Sequence, residues 1–102
     1  MKVFVIAMDK EAQPVLNAIN IERDITYCGK RLVTGKLSGE SIGIVICGVG
    51  KVNAACGTQI AIDELGADVI INVGVAGGLN GSVKVGEIYA ISNVVQYDFD
   101  LS

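Results

Sequence analysis

At 102 residues the chain has room for one domain, and a small one for a buried parallel sheet. Its 51% hydrophobic content is more apolar surface than that length easily covers. A net charge of −3, with Arg23 and Arg31 as the only arginines, lacks the basic footprint of a nucleic-acid binder. With no histidine, Ser-His-Asp and Cys-His mechanisms within this chain are excluded.

Met1-Lys2 leads straight into an apolar run that stops at Asp9, which is not the build of a secretory signal. No apolar stretch is long enough to span a bilayer, so a cytoplasmic protein without a membrane partner is expected. Lys2 to Met8 reads as a first strand, continuously apolar over Val3-Phe4-Val5-Ile6-Ala7 and therefore interior. Asp9 stands in helix N-cap position, and the helix is expected over Lys10 to Ile19 with Val15, Leu16 and Ile19 inward. Pro14 removes a donor just beyond the first turn, so either that turn is distorted or the regular helix starts nearer Gln13.

Arg23 to Tyr27 and Arg31 to Leu37 read as antiparallel strands joined around Cys28-Gly29-Lys30. Ser38-Gly39-Glu40 turns the chain again into Ser41 to Cys47. Gly48-Val49-Gly50 then opens a helix over Lys51 to Leu65, kept thin by Ala54, Ala55, Cys56 and Gly57 and stopped by Gly66. Cys28, Cys47 and Cys56 are an odd count without C-x-x-C spacing; they read as small buried residues, with no disulfide frame, zinc site or cofactor expected.

Asp68 to Leu79 is the most telling stretch. Val69 to Val73 reads as a strand buried on both faces in mid-sheet. Gly74, Ala76, Gly77 and Gly78 then leave the backbone bare, where open α/β sheets place ligands. A tight turn with positive φ at Gly77 or Gly78 is the plainer alternative. Beyond turns at Asn80-Gly81-Ser82 and Lys84 to Gly86, Glu87 to Val95 reads as another strand. The succession of strand, helix, meander, helix and strands is an α/β layer architecture.

Gly48-Val49-Gly50-Lys51 is neither a P-loop, since Val45 and Val52 occupy the required glycine and Ser/Thr places, nor a dinucleotide fingerprint, since Asn53 replaces the third glycine. Two glycines opening a helix whose N–H groups face the ligand edge remain. Glu11, just past the first strand, is either solvated decoration or a placed general base.

Ala7-Met8-x-x-Glu11, Gly48-Val49-Gly50-Lys51-Val52-Asn53-Ala54-Ala55 and Asp68 to Leu79, with Val85-Gly86-Glu87-Ile88 and Gln96-Tyr97-Asp98-Phe99-Asp100, together resemble the nucleoside phosphorylase family. The branch most resembled is the 5′-methylthioadenosine/S-adenosylhomocysteine nucleosidases. The resemblance covers the whole chain in register. It implies a mixed central sheet flanked by helices, a homodimer, and cleavage of an N-ribosidic bond to release adenine in purine and methionine salvage. By family position Glu11 handles the attacking water, Met8 and Val49 line the ribose side, and Val75, Ala76 and Gly77 form the floor under sugar and purine. Many relatives have a hydroxyl residue where Val75 stands.

Phosphorolytic members hold phosphate with arginines around these loops. Here the first loop carries Asp9 and Glu11 and no arginine is expected near either glycine turn, which favours hydrolysis. The family's ribose-binding glutamate and purine-protonating aspartate belong to a second half, and Asp98 and Asp100 match a segment near its subunit contact. Residues 1–102 are thus expected to be the N-terminal half of a single domain, with little or no turnover alone. A non-catalytic assembly or nucleoside-binding module, covered by another copy or a complementing C-terminal half, and half of a purine nucleoside phosphorylase are the competing readings.

Overall fold

The computed structural model describes residues 1–79, 81–82 and 84–96. Seven elements follow in order: β1 (Lys2–Ile6), α1 (Asp9–Ala18), β2 (Asn20–Tyr27), β3 (Lys30–Leu37), β4 (Glu40–Ile46), α2 (Lys51–Leu65) and β5 (Val69–Val73). They form one mixed sheet in the order β2-β3-β4-β1-β5. β4 and β5 both run parallel to β1, while β2–β3 and β3–β4 are antiparallel.

Two turns set the meander. Cys28 and Gly29 have φ of 52° and 75°, and Ser38 and Gly39 have φ of 51° and 81°. Two successive left-handed residues are the two-residue hairpin turn whose twist matches that of the strands it joins.

Strand alternation divides the core between two layers. Ile6, Ile44 and Ile46 meet Ala12 and Leu16 of α1 on one face. Val3, Val5, Val45 and Cys47 meet Ala61 of α2 on the other. That is why β1 is apolar from Val3 to Ile6: it lies between two strands and two helical layers. α2 sits so close to β4 that a Cβ on Gly57 would stand 2.5 Å from Cys47 Cβ. Gly66, at φ 64° and ψ 41°, ends α2 in the left-handed conformation, with Ala67 N–H donating to Ala61 O at 3.1 Å.

Several sequence expectations are corrected. β5 lies at the sheet edge, not its middle, because β1 takes the central place between β4 and β5; Val69 is 45% exposed. Glu87 to Val95 forms no strand: it pairs with no described strand, although the outer edge of β5 is unpaired, because strand-forming residues alone do not fix a ladder partner. Residues 97–100 lie outside the described residues. Of the cysteines only Cys47 is buried, since Cys28 sits in a hairpin turn and Cys56 on the outer face of α2.

Asp9 is not the N-cap of α1. Met8 holds that place without a side-chain bond, its carbonyl accepting from the N–H groups of Glu11 and Ala12, each at 3.1 Å. α1 continues through Pro14, so a start at Gln13 is excluded. The Lys10 carbonyl that Pro14 leaves without its helical donor belongs to an exposed residue, open to solvent. Among the described residues no helix is long and apolar enough to cross a membrane.

Candidate active site

Three parallel strands end side by side, because Ile6 pairs with both Ile46 and Val73. The segments that follow, Ala7-Met8, Cys47 to Gly50 and Gly74 to Leu79, therefore leave the sheet at one edge. Such an edge is where open α/β sheets receive ligands. Cys47 N–H donates to Ile6 O at 2.9 Å and Gly48 N–H to Ala7 O at 3.0 Å, prolonging the β1–β4 pairing into the loops.

On the β5 side, the first turn of α1 brings Glu11 to Gly74. A Cβ on Gly74 would lie 3.6 Å from Glu11 Oε2, while Oε1 is buried without a hydrogen-bond partner among the described residues. A buried acceptor left unpaired costs about 1–3 kcal/mol, so this carboxylate is held where something other than the described protein should donate to it. Gly74 gives it room. Val75, Ala76 and Gly77 continue from β5 as exposed chain without regular secondary structure, Val75 being 84% exposed. Gly77 does not take the left-handed conformation, which removes the tight-turn explanation at that position.

On the β4 side lies a cleft of about 400 Å³. Met8 and Val49 line it, together with Gly48, Cys47, Asp9 and Arg31. The structure thus gathers Met8 with Val49 and Glu11 with Gly74, on the two sides of the β1 terminus. Glu11, Val75, Ala76 and Gly77 do not line the cleft.

Arg31 corrects the expectation that no arginine is near a glycine turn. The meander pairs Arg31 with Ile46, which returns the start of β3 to the end of β4. Its charge is already matched: Nε and Nη2 donate to Asp24 Oδ1 and Oδ2 at 3.0 and 2.6 Å, and Nη1 to Asp9 Oδ1 at 3.2 Å. The hydrogen bonds from Arg31 hold the Asp24 carboxyl below its ordinary value. Arg31 thus stands between two carboxylates, of which Asp9 lines the cleft.

Lys30, also unmarked in the sequence reading, secures the glycine turn. Its Nζ donates to Cys47 O at 2.6 Å and to Asn53 Oδ1 at 2.5 Å, and Asn53 Nδ2 donates to Val49 O at 2.8 Å. Gly48 and Gly50, at φ 94° and 101°, give the turn its shape. Burial pushes the Cys47 thiol above its ordinary pKa, as befits a packing group.

Residues 2–102 match the model of the family described as the phosphorylase superfamily. A 5′-methylthioadenosine/S-adenosylhomocysteine nucleosidase of Maridesulfovibrio salexigens is 35% identical over 101 residues, covering 98% of this chain and 44% of the relative. That of Desulfotalea psychrophila is 38% identical, covering 98% of this chain and 43% of the relative. Among solved structures, the nucleosidase of Colwellia psychrerythraea in complex with adenine superposes with a TM-score of 0.77 at 36% identity, over 85% of this chain and 36% of that one. The Neisseria meningitidis nucleosidase with methylthio-immucillin-A gives 0.76 at 36% identity, over 84% and 38%. The chain spans less than half the length of these relatives.

Proposed function

The chain belongs to the phosphorylase superfamily, and from that membership we propose that it is the N-terminal half of one nucleoside-hydrolysing domain, acting on methylthioadenosine and S-adenosylhomocysteine. The observation that carries this reading is the buried, unpartnered Glu11 Oε1 beside the bare Gly74 backbone. A carboxylate with a free lone pair at a ligand edge is suited to accept a proton from water as the water attacks the ribosyl carbon. In this reading Glu11 is the catalytic residue. Met8 and Val49 contact the ribose side, and Val75, Ala76 and Gly77 lie beneath sugar and purine.

Hydrolysis is favoured over phosphorolysis by the charge at the cleft. Arg31 already ion-pairs with Asp9 and Asp24, so a phosphate there would compete with two carboxylates for its guanidinium. The work proposed for residues 1–102 is half a site in the cytoplasm, with little or no turnover unless a complementing C-terminal half or another copy covers the open flank of β5. Val69 of β5, 45% exposed at the sheet edge, supports such an association.

The test is adenine release from methylthioadenosine. We expect the purified chain to be inactive or nearly so. Joined to the C-terminal portion of the Maridesulfovibrio relative, it should release adenine at a rate indifferent to phosphate. A folded fusion that releases none would contradict the reading, and so would ordinary nucleosidase rates from the 102-residue chain alone.

A further inference from the structure

Arg31 is only partly consumed by its two ion pairs. A guanidinium has five N–H donors, and three of them are used on Asp24 and Asp9. One N–H on Nη1 and one on Nη2 carry no partner among the described residues. Asp9 accepts through Oδ1 alone, and its side chain is 73% exposed, which leaves Oδ2 open. The same cleft wall therefore offers two free cationic donors and a free anionic acceptor, within one ion pair.

That combination selects for a particular chemistry. A simple anion meets the Asp9 carboxylate beside the guanidinium, and a simple cation meets the guanidinium beside Asp9. A group carrying both charges satisfies both ends, its carboxylate on the Arg31 N–H groups and its ammonium on Asp9 Oδ2. The α-amino-acid end of S-adenosylhomocysteine is such a group; the methyl of methylthioadenosine is not. Met8 and Val49 line the same cleft as Arg31 and Asp9, so a 5′-substituent leaving the ribose side has a path along this wall.

We propose that Arg31 and Asp9 form a subsite for the zwitterionic amino-acid end of a nucleoside 5′-substituent, which makes Arg31 a specificity-determining residue. The inference rests on the nucleoside reading of the site given above. Asp24 acts as a positioning residue: its two-point grip fixes the plane of the guanidinium and so the direction of the remaining donors.

The test is equilibrium binding of methylthioadenosine and of S-adenosylhomocysteine to the purified chain, as wild type, Arg31→Met and Asp9→Asn. The quantity read is the ratio of the two dissociation constants. We expect wild type to favour S-adenosylhomocysteine by about tenfold, as one or two charged hydrogen bonds provide. Arg31→Met should bring the ratio close to one, and Asp9→Asn should lower it several-fold. A ratio unmoved by either substitution, or parallel weakening of both ligands, overturns the subsite. Should Arg31→Met fail to fold by circular dichroism, Asp9→Asn at an exposed position decides. If wild type binds neither nucleoside, the nucleoside reading fails and takes the subsite with it; if it binds methylthioadenosine with an unmoved ratio, the subsite alone fails.

Discussion

Glu11 and Gly74, 63 positions apart in sequence, meet where β1 and β5 end: a side chain on Gly74 would begin 3.6 Å from Glu11 Oε2. The other carboxylate oxygen is buried and unpaired. The bare strand end thus leaves space for a carboxylate that the described residues do not satisfy. Stability and ligand binding should accordingly pull apart at Glu11.

Glu11→Leu removes the unpaired acceptor and keeps apolar bulk against the core. We expect it to raise the free energy of unfolding by about 1 kcal/mol while abolishing nucleoside binding. Urea titration and equilibrium dialysis measure the two effects. A loss of stability would mean that Oε1 has a protein partner after all.

Gly74 should respond to the size of its replacement rather than to backbone geometry. Its φ is not left-handed and a Cβ there makes only ordinary contact, so Gly74→Ala should stay within about 0.5 kcal/mol of wild type. Gly74→Leu extends towards the carboxylate and should block ligand. Equal binding by both variants would show that this strand end does not face the nucleoside.

Gly57 makes the opposite case. Its missing side chain lets α2 lie on β4, and a Cβ 2.5 Å from that of Cys47 cannot be accommodated without moving the helix. Gly57→Ala should destabilise by about 1–3 kcal/mol in chemical denaturation despite the better helix propensity of alanine. A neutral result would place α2 farther from the sheet.

These positions also show what a sequence can record. β1 was legible because burial on both faces leaves a continuous apolar signature, and α2 because glycines bracket it at Gly50 and Gly66. β5 carries the same apolar signature yet stands at the edge, since composition registers how apolar a strand is and not which strands flank it. The Asp9 carboxylate was assigned to its own helix, but its partner is Arg31, 22 positions away. The pairing of Arg31 with Ile46 that brings this cation to the cleft is likewise long-range. Glu87 to Val95 has the residues of a strand but pairs with no described strand, since composition does not name a ladder partner.

Acid should weaken the fold through its paired aspartates. Hydrogen bonding to Arg31 lowers the pKa of Asp24, and that to the N-terminal ammonium lowers that of Asp68. A carboxyl with a depressed folded-state pKa contributes stability in full above its unfolded value, about 4. The contribution disappears as pH falls through the lower folded value. Unfolding midpoints should therefore drop as pH falls below about 4, and Asp24→Asn should flatten part of that slope. An unchanged slope in the variant would remove Asp24 from the explanation.

The most direct measurement is a backbone amide NMR titration of the isotopically labelled chain with methylthioadenosine. Saturable shifts are expected at Met8, Glu11, Val49 and Gly74 to Gly77, with an affinity in roughly the millimolar range suited to half a pocket, and Glu11→Gln should diminish them. Shifts confined to the opposite end of the sheet, around Lys2, Ser41 and Val69, or no saturable shifts at all, would contradict a nucleoside site at the ends of β1, β4 and β5.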